Sequence, residues 1–409
     1  MNSKKFLGAA SAALLIVIAL LIFVPCALAA TKYKTLYKFK GDKDGNGPMA
    51  DLIFDAAGNL YGTTNNGGAY DAGTVFELTP NGSGGWTESV LYSFTGGADG
   101  ANPQAGLIID QSGNLYGTTS VGGVHGWGAV FELTPKSGGW TESVLYSFTG
   151  GADGKAAFAS LIFDGPGNLY STTWNGGRSD CGGGCGVVFK LAPTSNGWDE
   201  SVLYSFGPNG QNSDAGLIFD GAGNLYGVTW YAGAYGWGVV FKLPPNSDGS
   251  WTESVLYPFK GYKDGAHPRA RLNLDSAGNL YGTTANEYAS GSGTVFQLAP
   301  NSDGTWTKRT LHQFTGGNDG ASPRADLTFD PAGNLYGVSY DGGAYGSGTV
   351  FKLTPTSTGG WTFRVLHTFK NMPGTYPWGG LVVDRSGNLY GTTYGDGSKT
   401  FGSVFEITP

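Results

Sequence analysis

Charge is scarce in this sequence: Asp, Glu, Lys and Arg make up only 13% of it, and histidine occurs four times. Cysteine occurs three times. No H-E-x-x-H pair, no G-x-S-x-G elbow and no P-loop is present, which removes the helical zinc protease, the serine-hydrolase elbow and the phosphate-loop NTPase. The formal charge of -7 is on the acidic side. A basic surface for a phosphate backbone is therefore absent, and nucleic acid is not an expected partner.

What the chain has instead is glycine, 72 residues of it, with 14% aromatic and 40% hydrophobic residues. That combination reads as many short strands joined by tight turns, with enough apolar material to form a core. The N-terminus is different. "MNSKK" is a positive leader, "FLGAASAALLIVIALLIFVP" is a long apolar run and "ALA" supplies small residues. This predicts a secretory signal over residues 1–29, cleaved after Ala29, with an uncleaved membrane anchor as the alternative reading of the same segment. Cleavage removes Lys4 and Lys5 and takes the charge to -9. The protein is thus expected to be secreted or at the cell surface. Cys26 follows Pro25, which makes a poor lipidation signal. Cys181 and Cys185, in "CGGGC", are expected to form one disulfide.

One phrase recurs seven times: "DAAGNLYGTT" from Asp55 is followed by six near copies, ending with "DRSGNLYGTT" from Asp384. The Asn of each copy falls at 59, 114, 168, 224, 279, 334 and 388, a period of 54 to 56 residues. Each period holds four strand-like segments, a to d, for example "GLIID", "NLYGTT", "GAVFELT" and "WTESVLYSF". Segment a is apolar almost throughout and is expected to be buried on both faces. "DPAGN" fits a type I turn followed by a left-handed glycine, with Pro331 at the second turn position, Gly333 at the left-handed one and Asp330 accepting from the turn's own amides.

The ends of the repeat array decide between solenoid and ring. A lone d-type segment, Lys34–Phe39, precedes the first a, and the last unit has no d of its own. If the N-terminal strand completes the last blade, seven four-stranded blades close into a ring. The fold class is therefore all-β, a seven-bladed β-propeller closed by the N-terminal strand, with residues 30–409 as one domain.

The D-x-x-G-N-L-Y-G hairpin followed by G-T-V-F-E-L resembles the GloVer-type, or choice-of-anchor, tandem repeats of secreted bacterial proteins. It is more loosely similar to the D-x-x-G-N-x-Y hairpin of NHL-type propeller repeats. The resemblance covers essentially the whole chain after the leader. It implies an exported bacterial repeat protein and no particular activity.

Seven copies separate frame from site. Positions alike in every copy serve the blade: the tryptophans that open segment d (Trp86 and its copies) and Leu60, Tyr61 and Phe76 are expected to pack between blades. The glycine after each Tyr, such as Gly62, is expected to let neighbouring blades approach, with Ser171 as the exception. His312 and His367 occupy a Tyr slot of segment d and read as structural. The d–a and b–c loops share one face, the long-looped one. Flanking a constant small residue at the start of segment a are two variable slots. The first holds Met49, Gln104, Phe158, Asp214, Arg269, Arg324 and Trp378; the second includes Arg271 and Asp326. The slot after segment b adds Trp174, Trp230, Tyr340 and Tyr394, and farther along its loops lie Tyr70, His125, Trp127, Tyr235, Trp237 and Tyr345.

Arg269, Arg271, Arg324, Asp214, Asp326, Trp378, Trp230, Trp174, Tyr340, Tyr394 and His267 are thus the candidate ligand-binding residues. Arg271 with Asp326 also reads as a plain inter-blade ion pair. Single Asp residues in "GGADGANP" and "GGNDGASP" offer calcium too few oxygens; no metal and no cofactor is expected, and the chain is expected to be a monomer. The preferred reading is an exported module that binds a glycan or cell-surface polymer at the channel mouth. The alternatives are a carbohydrate lyase or hydrolase on the same face, with His267 as base, and a structural surface or matrix protein without a small ligand.

Overall fold

The computed structural model describes residues 31–286, 291–370, 374–395 and 400–409. The leader with its cleavage site lies outside them. The described chain forms seven four-stranded antiparallel sheets. Blade 1 comprises Ile53–Phe54, Leu60–Thr64, Thr74–Pro80 and Trp86–Ser93, in the order a to d from channel to rim. Blades 2 to 6 repeat this order. Blade 7 takes strands a to c from Val382–Val383, Leu389–Thr393 and Ser403–Thr408, and its strand d from the N-terminal Lys32–Lys38. Tyr33 stands opposite Ile407 and Lys38 opposite Ser403. The ring is closed as the repeat arithmetic requires.

The hairpin motif is explained atom by atom. In blade 1, Asp55 Oδ1 accepts the amides of Ala57 and Asn59 at 2.9 and 2.8 Å, and Oδ2 accepts Asn59 Nδ2 at 2.8 Å. The Tyr61 hydroxyl reaches both Asp55 and Glu77, at 3.2 and 2.8 Å. Gly58 has φ 90°, as the left-handed turn position demands, and Gly333 has φ 80°. The frame Asp, Asn and Tyr therefore form one local network, repeated around the ring.

Between blades the seams are aromatic. Trp140 meets Tyr61 edge-on at 6.3 Å, Trp198 meets Tyr116 at 6.5 Å, and Trp86 meets Tyr390 across the closure at 6.1 Å. Two expectations change. Strand a is not buried on both faces: Leu52 is buried, but Ile53 and Phe54 are partly open because the innermost strand lines the channel. Nor does Gly62 serve the neighbouring blade. A Cβ there would meet Phe76 at 2.6 Å and Leu52 at 2.8 Å, both of its own blade. The glycine lets the Phe of strand c lie flat over strand b. At the exceptional Ser171, the hydroxyl donates to the carbonyls of Ala159 and Ser160.

Candidate functional site

Each blade fixes two variable side chains by the same backbone device. Two residues ahead of the first variable slot the chain turns left-handed: Gly47, Asn102, Ala156, Asn212, His267, Ser322 and Tyr376 all have φ between 52° and 67°. The carbonyl of that residue accepts the amide of the first residue after strand b, as in Trp230 to Asn212 at 2.9 Å and Tyr394 to Tyr376 at 3.0 Å. The slot side chain and the first loop side chain of a blade are thereby set side by side. This is why Phe158 meets Trp174 at 6.1 Å, and why Arg324 lies over the Tyr340 ring at 4.1 Å.

All seven first-slot residues line one cavity of about 160 Å³ at the channel mouth. Phe158, Trp174 and Trp378 are the aromatic residues of its wall, and other rings pack against them. Trp174 packs on Trp230 at 5.0 Å. Trp378 meets Tyr340 edge-on at 5.1 Å and Tyr394 at 6.1 Å. Two guanidiniums close the gap between these groups: Arg269 lies 5.3 Å from the Trp230 ring and 5.9 Å from Trp378, and Arg324 lies 4.8 Å from Trp378. Such cation–π contacts hold flat surfaces in register with the charges. Arg269 also pairs with Asp214, its Nε donating at 2.7 Å.

The arginines occupy two levels. Arg271 follows Arg269 by two residues, just ahead of strand a Asn273–Leu274. It lines the lower channel of about 740 Å³, not the mouth. Its Nε lies 3.0 Å from Asp326 Oδ2, and its amide donates to Asp326 Oδ1 at 2.6 Å. Asp326 also hydrogen-bonds Asp51, which accepts the Gly380 amide. Gly380 has no side chain to separate them: a Cβ there would come within 3.0 Å of both carboxylate side chains. Asp51, Ser160 and Asp326 touch both cavities and form the waist between them. Burial in this waist, and then the Asp51 carboxyl, push the Asp326 carboxyl well above the usual carboxylate range; Arg271 opposes this.

Of the sequence candidates, Asp214, Arg269, Arg324, Trp378 and Trp174 line the mouth, Trp230, Tyr340 and Tyr394 pack against its rings, and Arg271 and Asp326 form the waist. His267 is placed elsewhere. It is 1% exposed, its Nδ1 is 2.9 Å from the Trp230 carbonyl, and Trp230, Tyr231 and Trp237 enclose its ring. Its left-handed backbone turns the ring behind Trp230, so it is a support for that tryptophan, not a base in the mouth. His312 and His367 are structural as read, stacking on Phe363 and Tyr33 at 3.6 and 4.2 Å. Tyr70, Tyr235 and Tyr345 are exposed and do not line the cavity. The sequence reading missed Tyr376, which stacks on Tyr340 at 5.1 Å. An aromatic residue directly before Pro377 was the available signal. Cys181 and Cys185 are bonded to each other, an arrangement compatible with export.

Fold and mouth together define a seven-bladed β-propeller with one polar, aromatic-walled pocket at the loop end of its channel. The chain belongs to the Gloeobacter/Verrucomicrobia repeat family, which matches it over residues 23–218 and 213–409. No curated protein matches it. Among solved structures, it is similar to the periplasmic gluconolactonase PpgL of Pseudomonas aeruginosa, at 15% identity over 78% of this chain and 84% of that one, with a TM-score of 0.47. A protein of unknown function from Dyadobacter fermentans shares 10% identity over 93% and 99% of the two chains, with a TM-score of 0.44. A protein described as a putative oxidoreductase (glucose dehydrogenase) from Thermus thermophilus shares 14% identity over 93% and 100%, with a TM-score of 0.45. At these scores the likenesses carry no argument about activity.

Proposed function

We propose that the protein is an exported binding module that holds a glycan or cell-surface polymer in the mouth of its channel. The observation that carries this reading is the grouping of Trp378 with Arg269 and Arg324, whose guanidiniums lie 5.9 and 4.8 Å from its ring. A sugar ring has an apolar face for the tryptophan and hydroxyls or a carboxylate for the arginines. The cavity is lined by two arginines and by the carboxyl side chains of Asp51, Asp214 and Asp326. That favours a ligand with isolated carboxylates over a densely anionic one. The convergence of these side chains in a concavity also speaks against a purely structural role. Screening the mature protein on a glycan array tests the reading. Arg324→Ala is expected to weaken binding about tenfold or more; binding untouched by both Arg324→Ala and Arg269→Ala overturns it.

A second reading is favoured by one feature, the carboxyl pair of Asp51 and Asp326 beneath the pocket. A carboxyl that holds its proton near neutral pH serves as a general acid for glycoside cleavage. Under that reading the captured glycan is hydrolysed, and Asp326→Asn abolishes turnover while binding survives. Capture without any cleavage by the native protein rejects it.

A further inference from the structure

The repeat supplies a comparison of the protein with itself. Two d–a loops have nearly the same sequence, "FKGDKDGNGP" from Phe39 and "FKGYKDGAHP" from Phe259. In each, the Asp accepts a Tyr hydroxyl from the preceding strand d: Tyr37 to Asp44 at 2.8 Å, and Tyr257 to Asp264 at 2.7 Å. Each also takes the amide of its loop Lys, at 3.0 and 2.8 Å. The two seams differ in what the next blade presents. Blade 5 presents Lys308, whose ammonium, 4% exposed, sits on Asp264 Oδ1 at 3.2 Å and on the Asp264 carbonyl at 2.6 Å.

Blade 1 presents Glu88 in the matching slot. Its Oε2 accepts from the same Tyr37 hydroxyl that serves Asp44, at 3.2 Å. One phenol proton cannot serve both, and two carboxyl groups now face each other. Asp44 is 9% exposed, and its Oδ1 has no hydrogen-bond partner among the described residues; nor has Glu88 Oε1. In other seams the loop supplies a hydroxyl instead, as Thr95 does for Asp99 Oδ1 at 2.5 Å. Lys40 takes the place of that threonine and leaves Asp44 Oδ1 without it. The exposed Lys40 offers Glu88 only a charge across solvent.

We propose that the seam between blades 7 and 1 is a calcium site, formed by the carboxylates of Asp44 and Glu88 and the Asp44 main-chain carbonyl, where the sister seam carries the Lys308 ammonium. The donors are all oxygen and two come from carboxyl groups, which suits a hard divalent ion; calcium tolerates the irregular geometry, whereas magnesium demands a near-ideal octahedron, and water completes the shell. With two carboxylates the affinity belongs to the weak class, a Kd on the order of 10⁻⁴–10⁻³ M. The ion ties the closing strand of blade 7 to blade 1.

The test is thermal unfolding of the intact, chelator-treated protein against calcium chloride, with sodium chloride of equal ionic strength as control. Calcium is expected to raise the Tm by several degrees in a saturable manner, and sodium chloride is not. Glu88→Lys transplants the sister seam's ammonium; it is expected to unfold at a higher temperature than the calcium-free native protein and to ignore calcium. Asp44→Asn is expected to lose the response as well. No calcium-dependent rise in the native protein overturns the proposal, and so does a rise that survives in both variants.

Discussion

Arg269 of blade 5 reaches back to Asp214 of blade 4, its Nη2 lying 2.5 Å from Asp214 Oδ2. The Asp214 side chain is 8% exposed, and that contact supports its charge. Arg269→Ala leaves a buried carboxylate without its main counter-charge, at a cost of about 2–3 kcal/mol. Arg324 lies against Tyr340 and Trp378, at 4.1 and 4.8 Å from their rings. Arg324→Ala is therefore expected to weaken ligand capture with a much smaller shift in the urea midpoint. Parallel unfolding and binding curves check this. Equal destabilisation by the two changes contradicts the distinction.

The outer seams make a pH prediction. Burial pushes the Glu142 and Glu200 carboxyls up to about 7, and the neighbouring Asp99 and Asp153 add to it. The Oε1 atoms of both glutamates lack a partner among the described residues. In the folded state these groups hold protons that the unfolded chain, at an ordinary value of 4.5, has released. Their stabilising protonation is complete below that value and is lost as the pH rises through about 7. Glu142→Gln with Glu200→Gln is expected to flatten the fall in Tm between pH 5 and 8. An unchanged slope in the double variant counts against the assignment.

The seam between blades 6 and 7 runs the other way. His367 stacks face to face on Tyr33, 4.2 Å away with 5° between the planes, and burial lowers its pKa to about 4. The unfolded chain binds this proton first, starting near 6.5. The stability of the seam is present above that value and is lost as the pH falls toward about 4. The same slot holds Tyr92, Tyr146, Tyr204 and Tyr257 in blades 1 to 4, so an uncharged ring is sterically acceptable in this position. His367→Phe should protect blade 7 in acid. Hydrogen exchange of Lys32–Lys38 at pH 4.5 measures it, and exchange as fast as in the native protein rejects it.

Much of this architecture was legible because the repeat is a set of parallel trials. Asp330 and Gly333 could be assigned from turn geometry alone, since the atoms that decide a hairpin are neighbours in sequence. Ring closure followed from counting strands. The seven mouth residues emerged from variability against a constant frame, and all seven line the cavity. What alternation could not supply was depth: Arg269 and Arg271 are two residues apart but line different cavities. It could not supply packing partners either. Gly62 is crowded by its own blade's Phe76, which lies fourteen residues later in the sequence. His267 was misread because a loop position suggests exposure, while its left-handed backbone folds the ring under Trp230.

The frame itself makes the last prediction. Asp330 Oδ1 accepts the amides of Ala332 and Asn334, both at 2.9 Å, and Oδ2 accepts Asn334 Nδ2 at 2.6 Å and the Tyr336 hydroxyl at 3.0 Å. Burial opposes the charge, but the bonds from Asn334, Tyr336 and the Ala332 amide outweigh it and hold the carboxyl below its ordinary range. Four donors on one side chain make this the anchor of the blade 6 hairpin. Asp330→Ala is expected to cost about 2–3 kcal/mol and to speed hydrogen exchange at Thr328–Phe329 and Leu335–Ser339. The a–b turn is on the face opposite the d–a and b–c loops, so Arg324 and Tyr340 stay in place at the mouth. Ligand capture by Asp330→Ala at a temperature where it remains folded should match the native protein. Lost capture with an intact fold would mean that the repeated motif, and not the variable loops, carries the binding.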